Sequence, residues 1–149
     1  MQLRYFNQPH FENGSLKLIS QVLKEHGISK PLICTDPGLV KIGMTDKIRS
    51  LISNELSPTF YTETPANPTE QAVNDALEMY KQNDCDGVVG FGGGSSMDLA
   101  KTVALMANHE GNVVDYSVNE GGTGKIKETV PTIAIPTTSG TGSEVSLGA

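Results

Sequence analysis

No apolar run in this chain approaches the ~20 residues that a membrane helix needs, so a bilayer-spanning protein is not expected. The opening residues, Met1-Gln2-Leu3-Arg4-Tyr5-Phe6, lack the apolar h-region of a secretory signal. Cysteine is scarce. Cys34 and Cys85 make no disulfide framework, and a reduced cytoplasmic protein is the simplest account. Basic residues are in deficit: 11 Lys and Arg stand against 17 Asp and Glu, a formal net charge of −6. Such a chain offers no basic face to a phosphate backbone, which argues against nucleic acid as the main partner. His10, His26 and His109 are scattered, and none has metal-ligand spacing to another His, Cys or carboxylate. A Ser-His-Asp arrangement, a paired-cysteine motif, an internal repeat and a linker are all missing. No segment is at once long, charged and free of apolar residues, so no disordered stretch is expected. At 149 residues the chain is one domain or part of a larger one.

What is present is an alternation. Residues 3–6 read as a short first strand. Residues 15–26 read as a helix, with Leu16, Ile19, Val22 and Leu23 at helical spacing and Gly27 as its stop. Residues 31–35 form a compact apolar run, a buried strand carrying Cys34 as a buried thiol. Asp36-Pro37-Gly38 turns the chain. Residues 39–53 read as one helix, with Met44, Ile48, Leu51 and Ile52 on one face, and residues 59–62 as a strand. A helix start follows: Asn67 can cap, Pro68 suits the first helical position, and Glu70 lies three residues after the cap. Ala72, Val73, Ala76, Leu77 and Tyr80 make its apolar stripe. Residues 87–91 read as a strand, 96–108 as a helix, 119–127 as a polar surface loop and 132–135 as a last strand. Strands alternating with helices imply an α/β fold, a parallel sheet with helices on its faces. Ligands of such sheets sit beyond the carboxyl ends of the strands.

Three marked turns lie at those ends. At Gly92-Gly93-Gly94-Ser95-Ser96, a strand runs into glycines and the glycines into a helix. Glycine lets the backbone approach a ligand closely. The helix start adds unpaired N–H groups and the positive end of its dipole. A phosphate or pyrophosphate suits such a place, and a nucleotide-binding protein is the first expectation; tight packing is the bland alternative. The pattern is not the usual dinucleotide fingerprint, because Met97 stands where G-x-G-x-x-G counted from Gly92 requires glycine. It is not a Walker loop, because no GK[ST] follows. Asp98 and Lys101 read as a local ion pair. Asp36 either accepts hydrogen bonds from a ribose, favouring NAD over NADP, or is an ordinary turn residue before Pro37-Gly38. Residues 136–144 place hydroxyls and glycines directly after an apolar strand, either the wall of a polar pocket or a flexible loop. Gly121-Gly122-Thr123-Gly124-Lys125 has no preceding strand and departs from the Walker spacing at Asn119 and Ile126, so it reads as a solvent loop.

Together, GGGSSMDLAK and PTTSGTGSEVS resemble the iron-containing (group III) alcohol dehydrogenase family. CTDPGLVKIGMTDKI and the Asn67-Pro68-Thr69 step are similar as well, so the likeness covers nearly the whole chain. Related glycerol dehydrogenases and dehydroquinate synthases share the glycine turn but lack this form of the threonine-rich segment. The resemblance implies a Rossmann-like domain of the dehydroquinate synthase-like and iron alcohol dehydrogenase type. It would span residues 1–149, incomplete at its C-terminal end, with an all-helical C-terminal domain outside the chain.

The resemblance also implies positions. Asp36 would face the adenosine ribose, and Asn67 would help to line the cofactor cleft. Gly93, Gly94 and Ser95 would hold the pyrophosphate. Thr137, Thr138, Ser139, Gly140 and Thr141 would wall the rest. The cofactor would be NAD rather than NADP. Iron or zinc in the full-length enzyme would be held by an aspartate and histidines later in the chain, so no catalytic or metal-binding residue is expected here. The implied activity is hydride transfer between NAD(P) and a primary alcohol, a diol or an aldehyde, by an enzyme that is a homo-oligomer at full length. Two other readings stay open: a non-catalytic nucleotide-binding module, and a glycerol or glycerol-phosphate dehydrogenase relative.

Overall fold

The structure, a computed structural model, describes residues 7–146. The strand expected over residues 3–6 lies outside the described residues. A 3-10 turn (Ser15–Leu18) leads into α1 (Ile19–Glu25), then β1 (Pro31–Cys34), α2 (Pro37–Lys41), α3 (Met44–Leu51) and β2 (Thr59–Tyr61). The long helix α4 (Glu70–Gln82) is followed by β3 (Gly87–Gly92), α5 (Gly94–Ala107) and β4 (Thr132–Pro136). The four strands form one sheet in the order β2-β1-β3-β4, and every pairing is parallel. The α/β parallel-sheet expectation holds.

Parallel strands covered on both faces are continuous apolar runs, and the two central strands are of that kind. Every position of β1 and of β3 is buried. Register then sorts side chains by parity. Leu32 and Val88 are opposite each other and belong to the core on one face, with Ala72, Ala76, Leu99 and Val103 of α4 and α5. Ile33 and Val89 are also paired and belong to the core on the other face, with Ile19, Leu23 and Ile48 of α1 and α3. The result is a sheet between two helical layers. Strand β4 alternates exposed and half-buried positions, as an edge strand does.

Some boundaries differ from expectation. The helix read over residues 39–53 is two helices, broken at Gly43, whose φ of 75° no helix can contain. The cap of α4 is Thr69 rather than Asn67: the Thr69 hydroxyl accepts from the Ala72 amide at 3.2 Å. The backbone at Thr69 is extended (ψ 158°), the conformation of an N-cap, so the helix begins after it. Helix α5 starts at Gly94, not Ser96, because Gly93 takes the extended N-cap conformation. Within the loop of residues 119–127 there is a 3-10 turn (Gly122–Lys125), pinned by the Gly122 amide donating to the Ser117 carbonyl at 2.9 Å. No helix among the described residues is long and apolar enough to cross a membrane.

Candidate functional site: a cleft across four strand ends

The carboxyl ends of the strands open onto a cleft of about 510 Å³. Four short segments wall it, one after each strand. Asp36 to Leu39 follow β1, and Thr64 to Ala66 follow β2. Gly93, Ser95 and Ser96 follow β3, and Thr137 and Thr138 follow β4.

Hydrogen bonds hold these turns to one another. The Thr137 amide donates to the Gly92 carbonyl at 2.8 Å, joining the last turn to the glycine turn. The Ser95 hydroxyl donates to the Ala66 carbonyl, joining α5 to the segment after β2. The Thr64 amide donates to the Thr35 carbonyl at 3.2 Å, joining that segment to the end of β1. The floor of the cleft is thus a continuous line of hydrogen bonds among segments far apart in sequence.

Asp36 caps α2. Its Oδ1 accepts from the Leu39 amide at 3.1 Å, with Pro37 at the first helical position. So the turn reading of Asp36 is correct, and the residue still lines the cleft. Gly92 carries the closest approach. A Cβ there would stand 2.5 Å from Ser96 Oγ and 3.2 Å from Asp36 Oδ2, at a φ of 155° that side chains rarely adopt. Glycine is required for the strand end, the helix start and the Asp36 carboxylate to meet.

Helix α5 runs for 14 residues, its N-cap Gly93 makes no side-chain cap, and no acidic residue lies in its first turn. Its N-terminal N–H groups therefore have no side-chain partner among the described residues, and the dipole adds positive potential. An anion would satisfy both. Asp98 and Lys101, on the next turn, are the local ion pair expected, at 2.9 Å.

Of the residues singled out in the sequence, Asp36, Gly93, Ser95, Thr137 and Thr138 line the cleft. Gly94 opens α5, and a Cβ on it would stand 3.4 Å from the Thr141 Cβ, so Thr141 lies against the first turn of that helix. Ser139, Gly140 and Asn67 are exposed, and the wall runs through Ala66 beside Asn67. Thr64, Pro65, Ala66 and Ser96 also line the cleft. Ser96 belongs to the glycine turn read from the sequence; the sequence reading missed Thr64, Pro65 and Ala66, although applying the strand-end rule to β2 would have reached Thr64. Two hydroxyls near this floor, those of Thr35 and Thr64, are buried and have no hydrogen-bond partner among the described residues.

The cysteines take no part. Burial, reinforced by the nearby Cys85, pushes the Cys34 thiol far above its ordinary range. Cys85 is raised too, by burial against an opposing hydrogen bond with Thr59. Both are buried, and neither lines the cleft.

No group of three or more His, Cys, Asp or Glu side chains among the described residues could hold a metal ion. His109 is spoken for: Nδ1 donates to the Leu105 carbonyl at 2.7 Å and Nε2 accepts from the Lys127 amide at 2.8 Å. The cleft offers a helix N-terminus and polar walls of the kind that a phosphate group can use.

Comparison with known proteins identifies the family. The family profile "Iron-containing alcohol dehydrogenase" matches residues 7–149. A 4-hydroxybutyrate dehydrogenase of Cupriavidus necator is 42% identical over 146 residues, which is 97% of this chain and 38% of that protein. A long-chain-alcohol dehydrogenase of Geobacillus thermodenitrificans is 41% identical over 139 residues, 92% of this chain and 35% of that protein. Among solved structures, a sulfoacetaldehyde reductase of Bifidobacterium kashiwanohense in complex with NAD+ superimposes with a TM-score of 0.82 at 32% identity, covering 98% of this chain and 39% of that one. The chain thus spans little more than a third of the length of such relatives. By the family match over residues 7–149 and these likenesses, the chain belongs to the iron-containing alcohol dehydrogenase family.

Proposed function

We propose that this chain is the N-terminal cofactor-binding domain of an NAD-dependent alcohol dehydrogenase, and that residues 1–149 make up that domain without its last C-terminal elements. One observation carries the reading: four strand ends converge on the uncapped N-terminus of α5. The sulfoacetaldehyde reductase that this fold matches was solved with NAD+.

The bound nicotinamide would accept or deliver the hydride. This chain's own residues do the binding. The Gly93, Gly94 and Ser95 turn offers backbone N–H groups and the helix dipole to the pyrophosphate. Asp36 accepts from a ribose hydroxyl on the side of its carboxylate not used by the α2 cap, and its charge disfavours a 2′-phosphate. Thr137, Thr138, Ser139, Gly140 and Thr141 form the wall on the β4 side, with Asn67 at the rim beyond Ala66. The substrate class is a small primary alcohol, diol or aldehyde, and the full-length enzyme is a cytoplasmic homo-oligomer.

The test is a titration with NADH and with NADPH, followed by reduced-nicotinamide fluorescence; the chain has no Trp to interfere. Saturable NADH binding with weaker NADPH binding is expected. No saturation by either, from protein shown to be folded, would overturn the proposal.

A further inference from the structure

Thr64 is 3% exposed, and its hydroxyl has no hydrogen-bond partner among the described residues. A buried hydroxyl left unpaired is costly, because it gives up its bonds to water and recovers none. Such a group needs an explanation beyond packing. Valine would fill nearly the same space without that cost. Thr64 differs from most buried polar residues in one further respect: it lines the cleft. Its position is held from two sides. Its amide donates to the Thr35 carbonyl, and two residues on, the Ala66 carbonyl accepts from Ser95. The backbone is anchored and only the side chain is unspent.

We propose that Thr64 is a further cofactor-positioning residue, whose hydroxyl bonds the adenosine half of the dinucleotide beside Asp36. The inference rests on the nucleotide reading above. The chemistry is complementary. Asp36 is an acceptor only, and one of its oxygens is already committed to the Leu39 amide. A ribose diol presents two hydroxyls, each a donor and an acceptor. The remaining Asp36 oxygen accepts a hydrogen bond from one of them. The Thr64 hydroxyl, itself donor and acceptor, serves the second hydroxyl. Thr64 follows β2, the neighbour of β1, which places it on the Asp36 side of the cleft rather than the β4 side. Rotation about its Cα–Cβ bond between staggered wells changes which of its methyl and hydroxyl groups meets the cleft. The orphaned oxygen is thereby offered when a ligand arrives.

Thr35 supplies the control. It is fully buried, and its hydroxyl is also unpaired, but it is not among the residues that line the cleft. Thr64→Val and Thr35→Val should each raise the melting temperature of the ligand-free protein, by about 2–4 °C for each orphaned hydroxyl removed. Only Thr64→Val should weaken NADH binding, by about 3- to 10-fold, the span of one neutral hydrogen bond. The same loss should appear with ADP-ribose, which keeps the adenosine half and lacks nicotinamide. If wild type saturates with NADH and Thr64→Val binds both ligands equally well, the inference fails while the nucleotide reading stands. A loss for NADH but not for ADP-ribose would move the contact off the adenosine half and also overturn it. A fall in melting temperature for Thr64→Val would show a structural partner for the hydroxyl, and that too would overturn it. If wild type binds neither ligand, the nucleotide reading itself fails and takes the inference with it.

Discussion

Two aspartates stand at opposite ends of the sheet, and they are used in opposite ways. Asp86 precedes β3, at the amino ends of the strands. Its carboxylate accepts from the Ser29 amide at 3.1 and 2.9 Å, from the Ser29 hydroxyl at 2.6 Å and from the Lys30 amide at 2.8 Å. Burial alone would push this carboxyl up, but the bonds from Ser29 and Lys30 outweigh it and hold Asp86 below the ordinary aspartate range. Asp36 follows β1, at the carboxyl ends. One oxygen caps α2; the other, close to the Gly92 turn, has no hydrogen bond among the described residues. The amino end of the sheet is saturated and the carboxyl end is left with spare capacity. Saturation holds a fold together, and spare capacity receives a ligand.

The strand that joins the two ends is the place to break this contrast most severely. A Cβ on Gly90 would stand 2.7 Å from the Met97 Cα, so Gly90→Ala must push α5 off the sheet. We expect a loss of about 3 kcal/mol in denaturant unfolding, together with loss of NADH binding. Unchanged stability would mean that the strand and helix are not locked as described.

Asp86→Ala comes next. It strands the donors of Ser29 and Lys30, at about 1–2 kcal/mol, while NADH affinity stays the same. The pH dependence has a definite sign. A carboxyl held below its ordinary value stabilises fully above that value, and the contribution drains away as pH falls through the lower folded pKa. Acid unfolding of wild type should therefore steepen below about pH 4, and Asp86→Asn should lose part of that steepness. A drop in NADH affinity with unchanged stability would reverse the roles assigned to the two ends.

Asp36→Asn sharpens the contrast from the other side. Asparagine caps helices as well as aspartate does, so the melting temperature should hardly move. Removing the charge should raise the NADPH to NADH affinity ratio by roughly tenfold or less. A ratio that stays put would remove Asp36 from the ribose site.

The smallest effect is expected outside both regions. Lys24 and Glu55 form an exposed pair, and the hydrogen bond and charge of Lys24 hold the Glu55 carboxyl below its ordinary range. Glu55→Gln should change the melting temperature by no more than about 1 °C. A larger shift would show that exposure is a poor guide to what stabilises this fold.

Much of this was legible in the sequence. The wholly buried runs at β1 and β3, the stripe on α4 and the glycine turn are short-range patterns, and they appear where expected. The misreadings were local competitions. Asn67 and Thr69 are both good caps, and only the path of the chain past Pro68 decided between them. Apolar residues on either side of Gly43 keep helical spacing across a break that the glycine's φ enforces. The pairing of Ser29 with Asp86, 57 residues apart, left no trace in either segment.

Periodicity, turn chemistry and motif order thus determine the layers, the parallel sheet and the family, because each is a property of neighbouring residues. Burial and hydrogen-bond satisfaction belong to pairs of segments that meet only when the sheet assembles. That assembly makes Asp86 a saturated brace, keeps part of Asp36 in reserve, and leaves the Thr64 hydroxyl without a partner in the wall of the cleft.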